Sequence, residues 1–159
     1  MANRYLLPAY QKLYDESFDY SDFDMRMKMQ KAIYLLQDMG VPVGDYGFHW
    51  YFHGPYSQEL QDDMHEENRK RTSDDRILER YGQLFDQLYN AIHDEAGKVY
   101  GIARWMECIA SIHYLLDNIM DFDSTMEDVL KELMKRKDHL ADRSANEVAY
   151  RIVEELYGV

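Results

Sequence analysis

Apolar positions along the chain follow two different periods. Between Phe23 and Met39, the residues Met25, Met29, Ile33, Leu36 and Met39 step by three or four, and Leu35 widens the stripe. That is the repeat of one helix face. Ser21 with Asp24 forms an imperfect capping signal before it, and Gly40 stops it. An earlier, shorter segment, Pro8 to Glu16, places Leu7, Tyr10, Leu13 and Tyr14 at helical spacing.

The period then changes to two. Tyr46, Phe48, Trp50 and Phe52 alternate with Gly47, His49, Tyr51 and His53, which predicts an aromatic strand with one apolar face. Gly54-Pro55 is expected to end the strand, and Ser57 to cap a helix from Gln58 to about Asn68. A strand needs a hydrogen-bonding partner, and Val41–Val43 is a candidate even though Pro42 lacks a donor.

The remainder is helical in pattern. Ile77, Leu78, Tyr81, Leu84, Phe85, Leu88 and Ile92 predict one amphipathic helix, and Val99 through Met120 a longer, more apolar one. Ser124 with Glu127 and Ser144 with Glu147 read as capping boxes for two more. The fold class is therefore mainly α: a compact multi-helix domain with one aromatic β-strand or short hairpin between the second and third helices. The 159 residues are read as a single domain, with the first helix as an extension.

Charge narrows the functional classes. With 30 acidic against 18 basic residues the net charge is −12, which disfavours direct binding to nucleic acid or anionic lipid and favours a basic partner. The 14 Tyr, 6 Phe and 2 Trp supply enough apolar mass for a core. Cys108, the single cysteine, excludes an internal disulfide. No stretch approaches the roughly 20 apolar residues of a membrane span, and the start lacks a signal-peptide pattern. The expectation is a cytoplasmic protein.

The stretch Met29-Gln30-Lys31-Ala32-Ile33-Tyr34-Leu35-Leu36-Gln37, followed by Tyr46 through Gly54-Pro55-Tyr56-Ser57-Gln58-Glu59-Leu60, resembles the YwgA family. These small bacterial proteins look like relatives of SocA-type antitoxins built on the Panacea domain. A later helix, Ala103-Arg104-Trp105-Met106-Glu107 leading to Ala110-Ser111-Ile112-His113-Tyr114-Leu115, extends the likeness, which spans residues 23–157. The chain departs from the pattern in having only Arg69–Asp75 after the GPYS helix, where longer relatives carry extra β structure. The resemblance implies a binding role: SocA-type proteins neutralise a toxin by direct contact, and some hand it to a protease as adaptors.

Several constellations invite chemistry. Ser57 with His49 or His53 suggests a hydrolase, and Tyr56 would join them in a ligand site, yet the Gly-x-Ser-x-Gly elbow is absent. Gly54, Pro55, Tyr56 and Ser57 are accounted for as turn, packing and cap. His49 and His53 share one strand face with Tyr51, but about 13 Å separates residues four apart on a strand, too far for a shared metal. Asp19, Asp22 and Asp24 lack the glycine and closing Glu of a calcium loop. Cys108 is expected to be a buried thiol. No catalytic residue, metal or cofactor is assigned.

The helix after Ser57 carries Glu59, Asp62, Asp63, Glu66 and Glu67, whose like-charged pairs repel by about 0.2–0.5 kcal/mol each. Placed as a DNA reader it would face phosphate repulsion. The expected partner-binding residues are His49, Tyr51 and His53 on the strand and Glu59, Asp62, Asp63 and Glu66 on the helix. The expected partner is a protein with a basic docking surface, for instance a toxin or a protease substrate. An enzyme or ligand-binding protein is the rival reading, and an acidic decoy of nucleic acid the third.

Overall fold

The computed structural model describes residues 3–158. Eight α-helices run in the order α1 Leu6–Tyr14, α2 Phe23–Asp38, α3 Gln58–Lys70, α4 Arg76–Arg80, α5 Gly82–Ile92, α6 Ile102–Tyr114, α7 Met126–Arg136 and α8 Arg143–Tyr157. A two-stranded antiparallel hairpin, β1 His49–Tyr51 and β2 Gly54–Tyr56, lies between α2 and α3. The mainly α class holds. No described helix is long and apolar enough to cross a membrane.

The central element is α6. Its Trp105, Met106, Cys108, Ile109, Ala110 and Ile112 are fully buried, because α2, α8 and β2 pack around it. From Trp105 to His113 every residue is buried, the polar Glu107, Ser111 and His113 included. The α1 side chains Leu6, Tyr10 and Leu13 are buried in the same core, against α5 and α2.

Several local expectations need correction. The strand is shorter than Tyr46–His53, because Gln37 satisfies the Tyr46 backbone instead of a sheet neighbour. Its amide donates to the Tyr46 carbonyl at 2.8 Å and accepts from the Tyr46 N–H at 2.8 Å. Gly54 and Pro55 do not end the strand; they begin its partner, with Tyr51 opposite Gly54 and His49 opposite Tyr56. Gly54, at φ +89°, comes out of the turn into β2, and a Cβ there would lie 2.6 Å from the Ser111 hydroxyl. Pro55 is tolerated because every strand of a two-stranded ribbon is an edge. Val41 and Val43 are buried core residues and pair with no strand.

The helix expected over Ile77–Ile92 is two, broken where Tyr81 leaves helical geometry. The long helix starts only at Ile102, after Gly101 at φ +81°, and its end passes into a π-helical turn, Leu115–Ile119. Three caps also shift. Asp22 rather than Ser21 caps α2, the box on α7 is Thr125 with Asp128, and Asp142 caps α8. In each case the residue with extended backbone geometry immediately before the helix takes the role.

Candidate functional site

The hairpin is held from beneath by buried charges. Lys31, on α2, donates to the Pro55 carbonyl at 2.6 Å. Lys137, just past α7, donates to the Tyr51 carbonyl at 2.8 Å and to that of Phe52. Both lysines are almost wholly buried, and so is Glu107 on α6. The Glu107 Oε2 atom lies 3.6 Å from Lys137 Nζ and 3.0 Å from His139 Nε2. A single carboxylate thus stands among two ammonium groups and an imidazole. Burial pulls Lys31 down to about 7, against the opposing pull of Glu107, and it lowers Lys137 in the same way. The Lys137 ammonium also sits 5.0 Å from the centre of the Trp50 ring, a cation–π contact.

These bonds hold the backbone at the turn while the Tyr51 and Phe52 side chains stay in solvent. Phe52 is 88% exposed and Tyr51 56% exposed; Phe23, at the start of α2, is 52% exposed. Three large apolar side chains are thus exposed in one neighbourhood. Between them lies a groove of about 350 Å³, walled by Phe23, Met27, Tyr51, Phe52 and Tyr56, with Gln30, Lys31 and His53 also lining it.

The expected site residues divide. His49 and Tyr51 are exposed on β1, with the Tyr51 ring 5.1 Å from that of Tyr56. His53 does not share their face, because the strand ends at Tyr51 and His53 lies in the turn. It folds inward, its ring 5.3 Å from Phe23. Burial lowers its pKa, and its Nδ1 has no hydrogen-bond partner among the described residues. Ser57 is buried: its hydroxyl accepts from the Leu60 N–H at 3.2 Å, and its backbone N–H donates to Gln30 at 2.9 Å. Of the cap and turn reading of Gly54-Pro55-Tyr56-Ser57, the cap at Ser57 holds, whereas Gly54 and Pro55 lie in β2 and not in the turn.

The acidic helix is not a uniform charged face. Glu67 is buried and accepts from the Thr72 hydroxyl. Asp63 accepts from the Tyr46 hydroxyl at 2.6 Å, and Glu66 pairs with Lys70 at 2.9 Å. Glu59 and Asp62 are exposed. The repulsion expected along this helix is thereby relieved by partners outside the acidic run. Cys108 is a buried thiol pushed well up by desolvation.

Sequence reasoning passed over Lys31, Glu107, Lys137 and Phe52 as functional positions. Glu107 carried a signal, since it is a lone carboxylate inside the apolar run Trp105–Ile112, and a charge placed there needs a buried partner. Nothing local marks Lys137. Comparison of the chain with family models, with curated proteins and with solved structures finds no match.

Proposed function

We propose that this protein is a non-enzymatic interaction module, antitoxin- or adaptor-like, that binds a partner protein through its hairpin turn and the adjoining groove. The observation carrying this reading is Phe52: a phenyl ring 88% exposed on a turn whose carbonyl is held by a buried lysine. Aromatic anchors dominate interface energetics, and a turn already fixed in place loses little conformational entropy on binding. The likeness to YwgA and SocA-type proteins points the same way, because its most specific stretch, Phe48–Leu60, holds the hairpin and launches α3. The net charge of −12, with Glu59 and Asp62 exposed on α3, favours a basic rim on the partner.

Co-expression with the product of the neighbouring gene tests this. The neighbour should copurify with the wild-type chain, and any growth arrest it causes should be relieved. The double variant Tyr51→Ala, Phe52→Ala should fold normally by circular dichroism yet lose both effects. Retention of the partner by that variant would overturn the assignment of the surface, and a harmless neighbour with no copurifying partner from the native host would overturn the function.

A ligand-binding alternative has one specific observation in its favour, the unpartnered His53 Nδ1 beside the groove. Stabilisation by a small molecule that is lost in His53→Ala would support it over protein binding.

A further inference from the structure

A second polar cluster lies where the C-terminal ends of α2 and α6 meet. Asp38 is the last residue of α2, His113 is in the final turn of α6, and Asp117 is in the π-helical turn that follows. One donor atom from each lies within 4.8 Å of the other two, and His113 Nδ1 is 3.5 Å from Asp38 Oδ2. Two features separate this group from an ordinary acidic surface. First, His113 is only 6% exposed and reaches out of the core toward the carboxylates. The Tyr34 hydroxyl fixes it at 2.6 Å, and the Tyr157 ring stacks 4.1 Å away. Second, among the described residues no Lys or Arg forms an ion pair with Asp38 or Asp117, although lysines and arginines pair with acids elsewhere on the surface.

The nitrogen that faces Asp38 is Nδ1, the same atom that pairs with the Tyr34 hydroxyl. An imidazole beside two carboxylates is a ligand set for a first-row transition ion; magnesium and calcium prefer oxygen alone. Metal–ligand bonds of about 2.0–2.2 Å bring donors to roughly 3–4 Å apart. Rotation of the exposed Asp117 side chain supplies the closure from the present spacing.

We propose that Asp38, His113 and Asp117 bind one divalent ion of the zinc or manganese class, with water completing its coordination. The ion would take His113 Nδ1, which now pairs with the Tyr34 hydroxyl. Tyr34 is thus a competitor at the site as well as a support for it. Because the ligands come from α2, α6 and the π-helical turn after α6, occupancy would tie the ends of these elements together.

The test is calorimetric titration of the untagged full chain with Zn²⁺, Mn²⁺ and Mg²⁺ separately, alongside thermal unfolding. The expected result is one Zn²⁺ or Mn²⁺ per chain with a dissociation constant below about 100 μM, a raised unfolding temperature, and no response to Mg²⁺. Asp117→Asn, an exposed and fold-neutral change, should weaken binding at least tenfold, as should Asp38→Asn. Tyr34→Phe should tighten it, and His49→Ala should leave it unchanged. Affinity equal in wild type and Asp117→Asn, loss of binding in His49→Ala, or equal binding of Mg²⁺ would overturn the site. His113→Gln should abolish binding, and if that variant fails to fold, the two aspartate variants decide the question.

Discussion

The helix pair α2–α6 carries two polar centres built in opposite ways. Under the hairpin, Lys31, Glu107 and Lys137 are enclosed and rich in cations, and their ammonium groups are committed to backbone carbonyls of the turn. At the C-terminal ends of the same helices, Asp38, His113 and Asp117 are rich in anions, and both aspartates face solvent. A closed centre whose donors are already spent on the chain acts on shape: it holds the hairpin. An open centre with surplus acceptors has capacity left for something from outside. The difference separates buried charge spent on holding the chain from carboxylates left facing solvent, although the sequence presents both as charged residues beside apolar runs.

The largest effect expected from this contrast is at Glu107. Glu107→Gln leaves two buried ammonium groups without their carboxylate, and should lower unfolding free energy by about 3–5 kcal/mol in urea denaturation. An unchanged midpoint would mean that Lys31 is neutral and that Lys137 finds another anion. Asp117→Asn in the open cluster should shift the same midpoint far less in the absence of metal.

Acidification should probe the open cluster next. His113 is held near 4 in the folded chain against an ordinary 6.5, so the unfolded chain takes up the proton first as pH falls. Its contribution to stability is intact above 6.5 and is lost as pH drops from 6.5 toward 4. Between pH 7 and pH 5 the loss should be about 2 kcal/mol. His53, also lowered by burial, adds in the same direction, more weakly because it is partly exposed. Asp38, raised by burial, works in the opposite sense. Denaturant titrations across this range should show the slope in wild type and a flatter one in His113→Gln.

Lys137→Met keeps the apolar stem and removes the donor to the Tyr51 and Phe52 carbonyls. It should reduce stability by about 1–3 kcal/mol, and hydrogen exchange should quicken first at the hairpin amides. Exchange that quickens uniformly over the chain would show that the closed centre does not act locally on the turn. The smallest effect on stability belongs to Phe52→Ala, within about 0.5 kcal/mol because the ring contacts solvent, while partner capture falls at least tenfold. A large stability loss there would place Phe52 in the core and remove it as an anchor.

Much of the fold was legible from periodicity. The stripe from Met25 to Leu36 and the apolar run Trp105–Ile112 marked α2 and α6, and Ser57 before Gln58 marked the start of α3. Less was legible of the site. Tyr51, Tyr56 and the GPYS turn could be found because aromatic alternation and Gly-Pro punctuation are local signals. Phe52 was assigned to the apolar strand face, since strict alternation continues through it; the turn after Tyr51 reverses that placement. Glu67 was grouped with the other acids of its helix, and only the packed structure shows it to be buried and paired with Thr72.

By itself, the sequence determined the helical class, the place of the hairpin between the second and third helices, and the surplus of negative charge. Each of these is encoded in neighbouring residues or in composition. Tertiary structure alone decided which charges meet. Lys31, Glu107 and Lys137 come from α2, α6 and the end of α7, and Asp38, His113 and Asp117 from α2, α6 and the π-helical turn. No local period relates such distant positions. The packing of α2 against α6 sets their distances, and the low polarity of the interior makes those distances matter, by turning otherwise ordinary ionisable side chains into one closed clamp and one open cluster.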